Sequence, residues 1–293
     1  MEIIRTISWM KEKARLARAE NHVIGFVPTM GALHEGHLSL ILRARTECSR
    51  VFASIFVNPT QFGPNEDLSK YPRTFETDVE KLQSAGVDVL FAPDAKEIYP
   101  AGFRTYAEVE GISNRLEGRS RSGHFRGVAT VVLKLFNIVQ PQFAFFGRKD
   151  AQQVRILQQM AGDLNLDVEV IVCPIVREPD GIALSSRNVY LSAEERRAAT
   201  ILHRALEAAS QQAKAGVHDT AQLQQILHRV LSEEKLARVD YAEIVDAETF
   251  EPVTVIGARP VYLLLAVHLG KTRLIDNLLI EPAQDSGTLN CSL

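Results

Sequence analysis

Two histidines three residues apart, His34 and His37, stand in HVIGFVPTMGALHEGH (22–37), where an apolar run stops and a helical pattern begins. A helix start leaves backbone N–H groups unpaired and carries about half a positive charge, which makes it a natural anion site. Gly31 and Gly36 let the backbone approach a ligand closely, and Gly accepts φ > 0 if the corner requires it. The helix dipole disfavours a cationic imidazole, so both rings are expected to stay neutral until an anion arrives. They then become proton-sharing donors to phosphate oxygens, and such donors stabilise the negative charge that grows in a transition state. Two other readings stand beside this one. Imidazoles at i and i+3 could hold a metal, although no Cys or Asp/Glu set of recognisable spacing completes a site. They could also be polar residues facing solvent.

Four further stretches carry chemistry-bearing residues. IFVNPTQFGPNEDLSKYPRT (55–74) places Asn58 and Gln61 among Pro and Gly; it reads as a polar turn or as a sheet-top binding loop. FAFFGRKDAQQ (143–153) repeats the first design: an apolar strand, Gly147, then a helix starting near Lys149-Asp150. Lys149 brings a mobile ammonium to phosphate, Asp150 suits an N-cap, and Gln153 follows one turn along. Gln61 and Gln153 are neutral amides that can hold hydroxyls and a carboxylate without quenching its charge. A carboxylate that must act as a nucleophile needs that treatment. GIALSSRNVYLSAEE (181–195) sets two hydroxyls and a guanidinium side by side at Ser185, Ser186 and Arg187, a phosphate-gripping set. Its Ser192–Glu195 segment reads as a helix capping box only. GRSRSGHFRG (118–127), with Arg119, Arg121, His124 and Arg126 around glycines, reads as a solvated loop before a helix, or as a secondary phosphate-facing loop.

The elements that must position these residues alternate along the first 175 or so positions. Strands are expected at 22–28, 51–57, 87–91, 142–146 and 168–172, and helices at 36–48, 74–85, 126–139 and 149–162. The runs at 51–57 and 142–146 are apolar on both alternations, as in strands covered on both faces. The fold class is therefore α/β, a Rossmann-like parallel sheet with helices on both faces and with ligands at the carboxyl ends of its strands. After about 177 the pattern changes to helices near 192–214 and 219–234 and strands near 240–246, 260–268 and 272–280, a smaller α+β unit. The expected division is 1–176 for the nucleotide-binding domain, 177–282 for a C-terminal domain acting as a lid, and 283–293 for a disordered tail.

Bulk properties exclude some classes. The chain has 293 residues, 46% hydrophobic and 24% charged, with net charge −3, so no basic field recruits nucleic acid or anionic lipid. The longest apolar stretch, VYLLLAV (261–267), is too short to span a bilayer, and the first twenty residues lack a signal-peptide pattern. Cys48, Cys173 and Cys291 are odd in number and far apart, which suits a reducing cytoplasm better than a disulfide framework.

Taken together, PTMGALHEGH (28–37), FVNPTQF (56–62), GRSRSGHFRGVATVVLKLFNIVQP (118–141), FGRKDAQQ (146–153) and DGIALSSRN (180–188) resemble the pantothenate synthetase family over nearly the whole chain. These are ligases that condense pantoate with β-alanine using ATP. The family is similar in turn to class I aminoacyl-tRNA synthetases and nucleotidylyltransferases, His34–His37 and Leu184–Arg187 standing for their two nucleotide-binding signatures. Arg148 departs from the acidic residue common there. The resemblance implies an ATP site lined by Met30, Gly31, Ala32, Leu33, His34, Glu35, Gly36 and His37, with His37 as general acid of an adenylation step. Gly147, Arg148, Lys149, Asp150, Val176, Leu184, Ser185, Ser186 and Arg187 complete it, and His34 and Lys149 share the catalytic work. Gln61 contacts pantoate and β-alanine, and Gln153 contacts pantoate. The resemblance further implies a homodimer and Mg²⁺ accompanying ATP, with no tightly bound organic cofactor. Two rival activities remain at this point: a nucleotidylyltransferase that transfers AMP without forming an amide, and a nucleotide-sensing module without catalysis.

Overall fold

The computed structural model describes residues 1–64, 66–282 and 290–292. The chain divides into two compact units, Met1–Cys173 and Pro174–Leu293. The division falls three residues before the expected one, so Val176 belongs to the second unit. Pro174, which has no N–H to donate to a ladder, follows directly on the last strand of the first unit.

The first unit runs β1 (Glu2–Ile4), α1 (Ile7–Ala19), β2 (Ile24–Thr29), α2 (Glu35–Glu47), β3 (Arg50–Ile55), α3 (Phe75–Ser84), β4 (Val89–Phe91), α4 (Ala95–Ile98), α5 (Glu117–Ser120), α6 (His124–Val139), β5 (Phe143–Gly147), α7 (Ala151–Asp163) and β6 (Glu169–Cys173). The six strands lie in the order β1-β4-β3-β2-β5-β6, and every neighbouring pair is parallel. The five expected strands and four expected helices all form, with ends shifted by up to two residues. β1, α1 and the one-turn helices α4 and α5 have no counterpart in the sequence reading. The buried side of α1 is Met10, Ala14 and Ala17, and two alanines in a charged sequence give little apolar contrast.

Alternation along the strands fills both faces. Val27, Ala53, Leu90 and Phe145 join Leu40, Ile41 and Ala44 of α2 and Leu82 of α3 in one core. Their strand neighbours Phe26, Phe52 and Phe91 point the opposite way and are equally inaccessible. α2 is thus anchored against the sheet by one apolar stripe, while its first turn stands at the carboxyl end of β2.

The second unit contains α8 (Ala193–Ala198), α9 (Thr200–Lys214), α10 (Thr220–Leu231), β7 (Ala237–Asp246), β8 (Val261–Leu269), β9 (Thr272–Glu281) and β10 (Asn290–Ser292). Its sheet is antiparallel, in the order β10-β9-β8-β7. α9 and α10 cover one face through Leu202, Leu206, Leu223 and Leu227, packed on Leu263, Leu265 and Leu278. The single helix expected over 192–214 is two helices meeting at Ala199. The tail expectation needs correction as well. Residues 283–289 and 293 lie outside the described residues, but Asn290–Ser292 pair with Leu279–Glu281 as a strand. Strand pairing uses backbone groups, and an uncovered edge can be capped by a segment of tail-like composition.

Ile41 is fully inaccessible, so Ile41→Ala is expected to lower unfolding free energy by about 2–5 kcal/mol. The midpoint of a urea melt should fall while its slope stays unchanged.

Candidate active site

In a doubly wound sheet, ligands bind outside the carboxyl ends of the strands where strand order reverses. Here that point lies between β2 and β5, the strands from which the chain winds outward in opposite directions. Gly25 pairs with Phe143 and Phe26 with Ala144. Continuing that register brings Thr29 level with Gly147, so both corners named from sequence leave the sheet side by side. The first carries Met30–His37 and the second carries Gly147–Asp150.

At the first corner, Gly31 and Ala32 both adopt positive φ, +81° and +50°. Alanine in this conformation costs roughly 1–2 kcal/mol, and the cost is offset from α3. Asp78, 1% exposed, accepts the Ala32 N–H through Oδ2 and the Leu33 N–H through Oδ1, both at 2.8 Å. Hydrogen bonds to a charged acceptor contribute about 1.5–3 kcal/mol each. Thr74 donates to the same carboxylate at 3.1 Å, and Lys81 Nζ donates to the Leu33 carbonyl at 2.6 Å. A Cβ on Gly31 would lie 3.0 Å from Asp78 Oδ2.

These contacts correct one expectation. The Gly31 N–H goes to Thr29 Oγ1 at 3.2 Å and the His34 N–H to His37 Nδ1 at 3.3 Å, so four successive N–H groups, 31–34, are occupied. Of the corner's donors, the Glu35 and Gly36 N–H groups have no hydrogen bond among the described residues. The corner therefore leaves fewer backbone donors free than a bare run of N–H groups over 31–36 would.

His34 is the N-cap of α2 and its ring lies 4.1 Å, centroid to centroid, from that of His37. Because His37 Nδ1 accepts an N–H, its proton resides on Nε2, which becomes the donor. Loss of water around the rings pushes the His37 pKa down to about 3 and that of His34 to about 4, with the Lys149 ammonium lowering both further and Lys81 adding to the effect. Asp150 acts in the opposite direction on His34. Both imidazoles are neutral, as expected, although desolvation leads where the helix dipole was invoked. His34 Nδ1 is enclosed without a hydrogen-bond partner among the described residues. Lys149 is the second corner's contribution, its ammonium 3.7 Å from Asp150 Oδ1. No group of three or more His, Cys, Asp or Glu able to hold a metal ion occurs among the described residues.

Gln61 reaches the same corner: its Nε2 lies 3.2 Å from Met30 Sδ. Its Oε1 accepts from Asn58 Nδ2 at 3.0 Å, and Asn58 is itself fixed by Tyr99, Thr60 and the Gly127 carbonyl. α6 passes so close that a Cβ on Gly127 would fall 2.4 Å from the Thr60 carbonyl oxygen. The 118–127 stretch is only partly a solvated loop, with Arg119, Ser122 and Arg126 exposed. It forms α5 and the start of α6, His124 is buried, and His124 Nδ1 stands 2.9 Å from the Gln61 carbonyl. Arg121 bonds His124 Nε2 at 3.0 Å and pairs with Glu66 at 2.7 Å. Arg121 and His124 thus brace the Gln61 loop. Gln153 sits in the first turn of α7, partly buried, while the adjacent Gln152 is buried and ties α7 to Ile112, Arg115 and Glu117.

In the second unit, the Leu184 N–H donates to the Val176 carbonyl at 3.0 Å, joining residues eight apart in sequence. Ser185 Oγ accepts the Arg187 N–H at 3.2 Å and opens the short turn Ser186–Tyr190. Arg177 makes a bidentate pair with inaccessible Asp276 at 2.7 and 2.9 Å, which anchors the Val176–Leu184 hairpin. Sequence reasoning missed Asp78, Lys81, Asn58's partners and Arg177. An Asp and a Lys on an amphipathic helix look like any solvated pair.

Fold and corner together define a nucleotide-binding protein of the doubly wound α/β class. The family model for pantoate–β-alanine ligase matches residues 2–279, and the chain belongs to that family. Curated pantothenate synthetases of Acetivibrio thermocellus and Thermotoga petrophila are 53% and 54% identical to it over 96% of this chain and all of theirs. The crystal structure of pantothenate synthetase from Thermus thermophilus superposes with a TM-score of 0.89 at 46% identity, covering 94% of this chain and 98% of that one. The pantoate–β-alanine ligase of Francisella tularensis, solved with a β,γ-ATP ligand and β-alanine, gives 0.77 at 38% identity, covering 94% and 97%.

His34, His37 and His124, whose pKa is also lowered, to about 4, by burial, bind protons near pH 6.5 when unfolded but not when folded. The unfolded state therefore gains protons first on acidification, and this contribution to stability is present above about pH 6.5 and lost as pH falls towards 4. Chemical denaturation between pH 7 and 4.5 should show that loss, and His124→Asn should flatten it.

Proposed function

We propose that this chain condenses pantoate with β-alanine at the expense of ATP, in two half-reactions, giving pantothenate, AMP and diphosphate. First the pantoate carboxylate attacks the α-phosphorus of ATP in line, forming a pantoyl adenylate and releasing pyrophosphate. His34, His37 and Lys149 stabilise charge on the phosphates. His37, with its proton on Nε2, shares that proton with a phosphate oxygen as charge develops. Catalysis of this step is positioning and electrostatics rather than covalent work by the protein. The β-alanine amine then attacks the acyl carbon, the amide forms and AMP leaves.

The observation that carries this reading is the meeting at the switch point of two uncharged imidazoles, a lysine and an uncharged amide, all reached from adjacent strands. Gln61, held by Asn58, is the contact for pantoate and β-alanine, and Gln153 for pantoate. Neither amide neutralises the attacking carboxylate. In the second unit, Val176 and Leu184–Arg187 are assigned to nucleotide binding, Ser185, Ser186 and Arg187 offering the hydroxyls and guanidinium that suit phosphate. Mg²⁺ would be held through the ATP phosphates and would supply charge neutralisation there; no group of three or more His, Cys, Asp or Glu that could hold a metal ion occurs among the described residues. Water would destroy the mixed anhydride, so a covering element is needed, and the 55–75 loop is the first unit's candidate for it. The enzyme works as a cytoplasmic homodimer.

Pantoate-dependent exchange of pyrophosphate into ATP without β-alanine, and pantothenate formation once β-alanine is added, are the expected results. Exchange with no hydroxy acid in a panel would reject the reading. His37→Ala should slow pyrophosphate release in a single turnover by roughly a hundredfold, about 2.7 kcal/mol of transition-state stabilisation. Gln153→Ala should raise the KM for pantoate and leave that for ATP unchanged.

A further inference from the structure

The corner at residues 30–34 is held from outside by two residues with no assigned part in substrate binding. We propose that Asp78 and Lys81 of α3 are positioning residues for the nucleotide, gripping residues 32–33 from both polarities and so fixing where the two imidazoles stand. This rests on the reading of the corner as the ATP site.

Asp78 and Lys81 lie one turn apart on α3, on the same side of the helix. The carboxylate takes two successive N–H groups, those of Ala32 and Leu33, one on each oxygen, and the ammonium takes the Leu33 carbonyl. Successive N–H groups converge on one acceptor because Gly31 and Ala32 have positive φ; in extended chain they would point to opposite sides. The grip and the unusual backbone therefore require each other. The Leu33 side chain is sunk in the α2–α3 core, so the backbone and the side chain of that residue are both immobilised. His34 follows directly as N-cap and orients His37 through its own N–H.

Mere packing does not explain the choice of residue. Burying a carboxylate carries a desolvation cost that its hydrogen bonds must first offset, which an apolar side chain of similar size would not incur, and Asp78 has no ion pair among the described residues. What it supplies is shape, together with removal of the 32 and 33 N–H groups from competition with the imidazoles for phosphate. Lys81 adds a second effect, because its charge reaches both rings and opposes their protonation.

The test is calorimetric titration with MgATP, which needs no pantoate chemistry, alongside KM values for ATP and pantoate. Asp78→Asn keeps the volume but puts an amide donor against one N–H. It is expected to weaken MgATP binding at least tenfold while the KM for pantoate stays within twofold. Lys81→Met, at a partly accessible position, is expected to weaken MgATP about threefold with circular dichroism and melting point unchanged, and it carries the test if the Asp78 variant does not fold. Wild-type MgATP affinity in folded Asp78→Asn or Lys81→Met overturns the inference. So does equal weakening of ATP and pantoate in step with the folded fraction. Weakened MgATP binding in the variants combined with no pantoate-dependent exchange in the wild type supports the inference while rejecting the function proposed above. Wild-type exchange with MgATP affinity untouched in the variants does the reverse.

Discussion

Two neutral imidazoles enclosed at the start of α2, within reach of two ammonium groups, are the constraint around which the first unit is organised. Their environment withholds water from them and surrounds them with positive charge, so protonation is deferred until a counter-charge arrives. A polyphosphate is such a counter-charge. A site built this way holds strong hydrogen-bond donors that need no ion-pair partner in the free protein and are ready when negative charge appears.

That arrangement depends on nested supports of decreasing size. The parallel sheet, apolar on both faces, sets β2 and β5 in register and places two corners level with each other. The stripe Leu40–Ile41–Ala44 presses α2 onto the sheet and sets the height of its first turn. Asp78, Thr74 and Lys81 then hold the strained backbone before it. Gln61 enters from the next loop and is itself aimed by Asn58, whose own partners lie on Tyr99 and α6. Most of these supports join segments distant in sequence, and Asp78, Lys81, Asn58 and Tyr99 act on the residues that would touch substrate rather than on substrate itself.

This division explains what the sequence revealed. The strands and the longer helices from residue 22 to 173 were legible because their hydrophobic periods are local and strong, and the corners because glycine, histidine and lysine cluster where those periods change; the one-turn helices α4 and α5 are too short to show a period. α1 was missed because alanine-rich burial leaves little contrast, and β10 because strand pairing at an edge needs no apolar pattern. His124 and Arg121 looked solvated, yet they brace the Gln61 loop, and Asp78 gave no signal at all. Which face of a helix meets which loop is a tertiary fact. Motifs disclosed the groups that act, and only the three-dimensional contacts disclose the groups that aim them.

The state of the two rings can be read directly by ¹⁵N NMR of histidine-labelled protein without nucleotide at pH 6, where a free imidazole is mostly protonated. The account predicts neutral rings for both His34 and His37, with the His37 proton on Nε2 and Nδ1 unprotonated. Imidazolium signals from the pair, or a His37 proton on Nδ1, would contradict it.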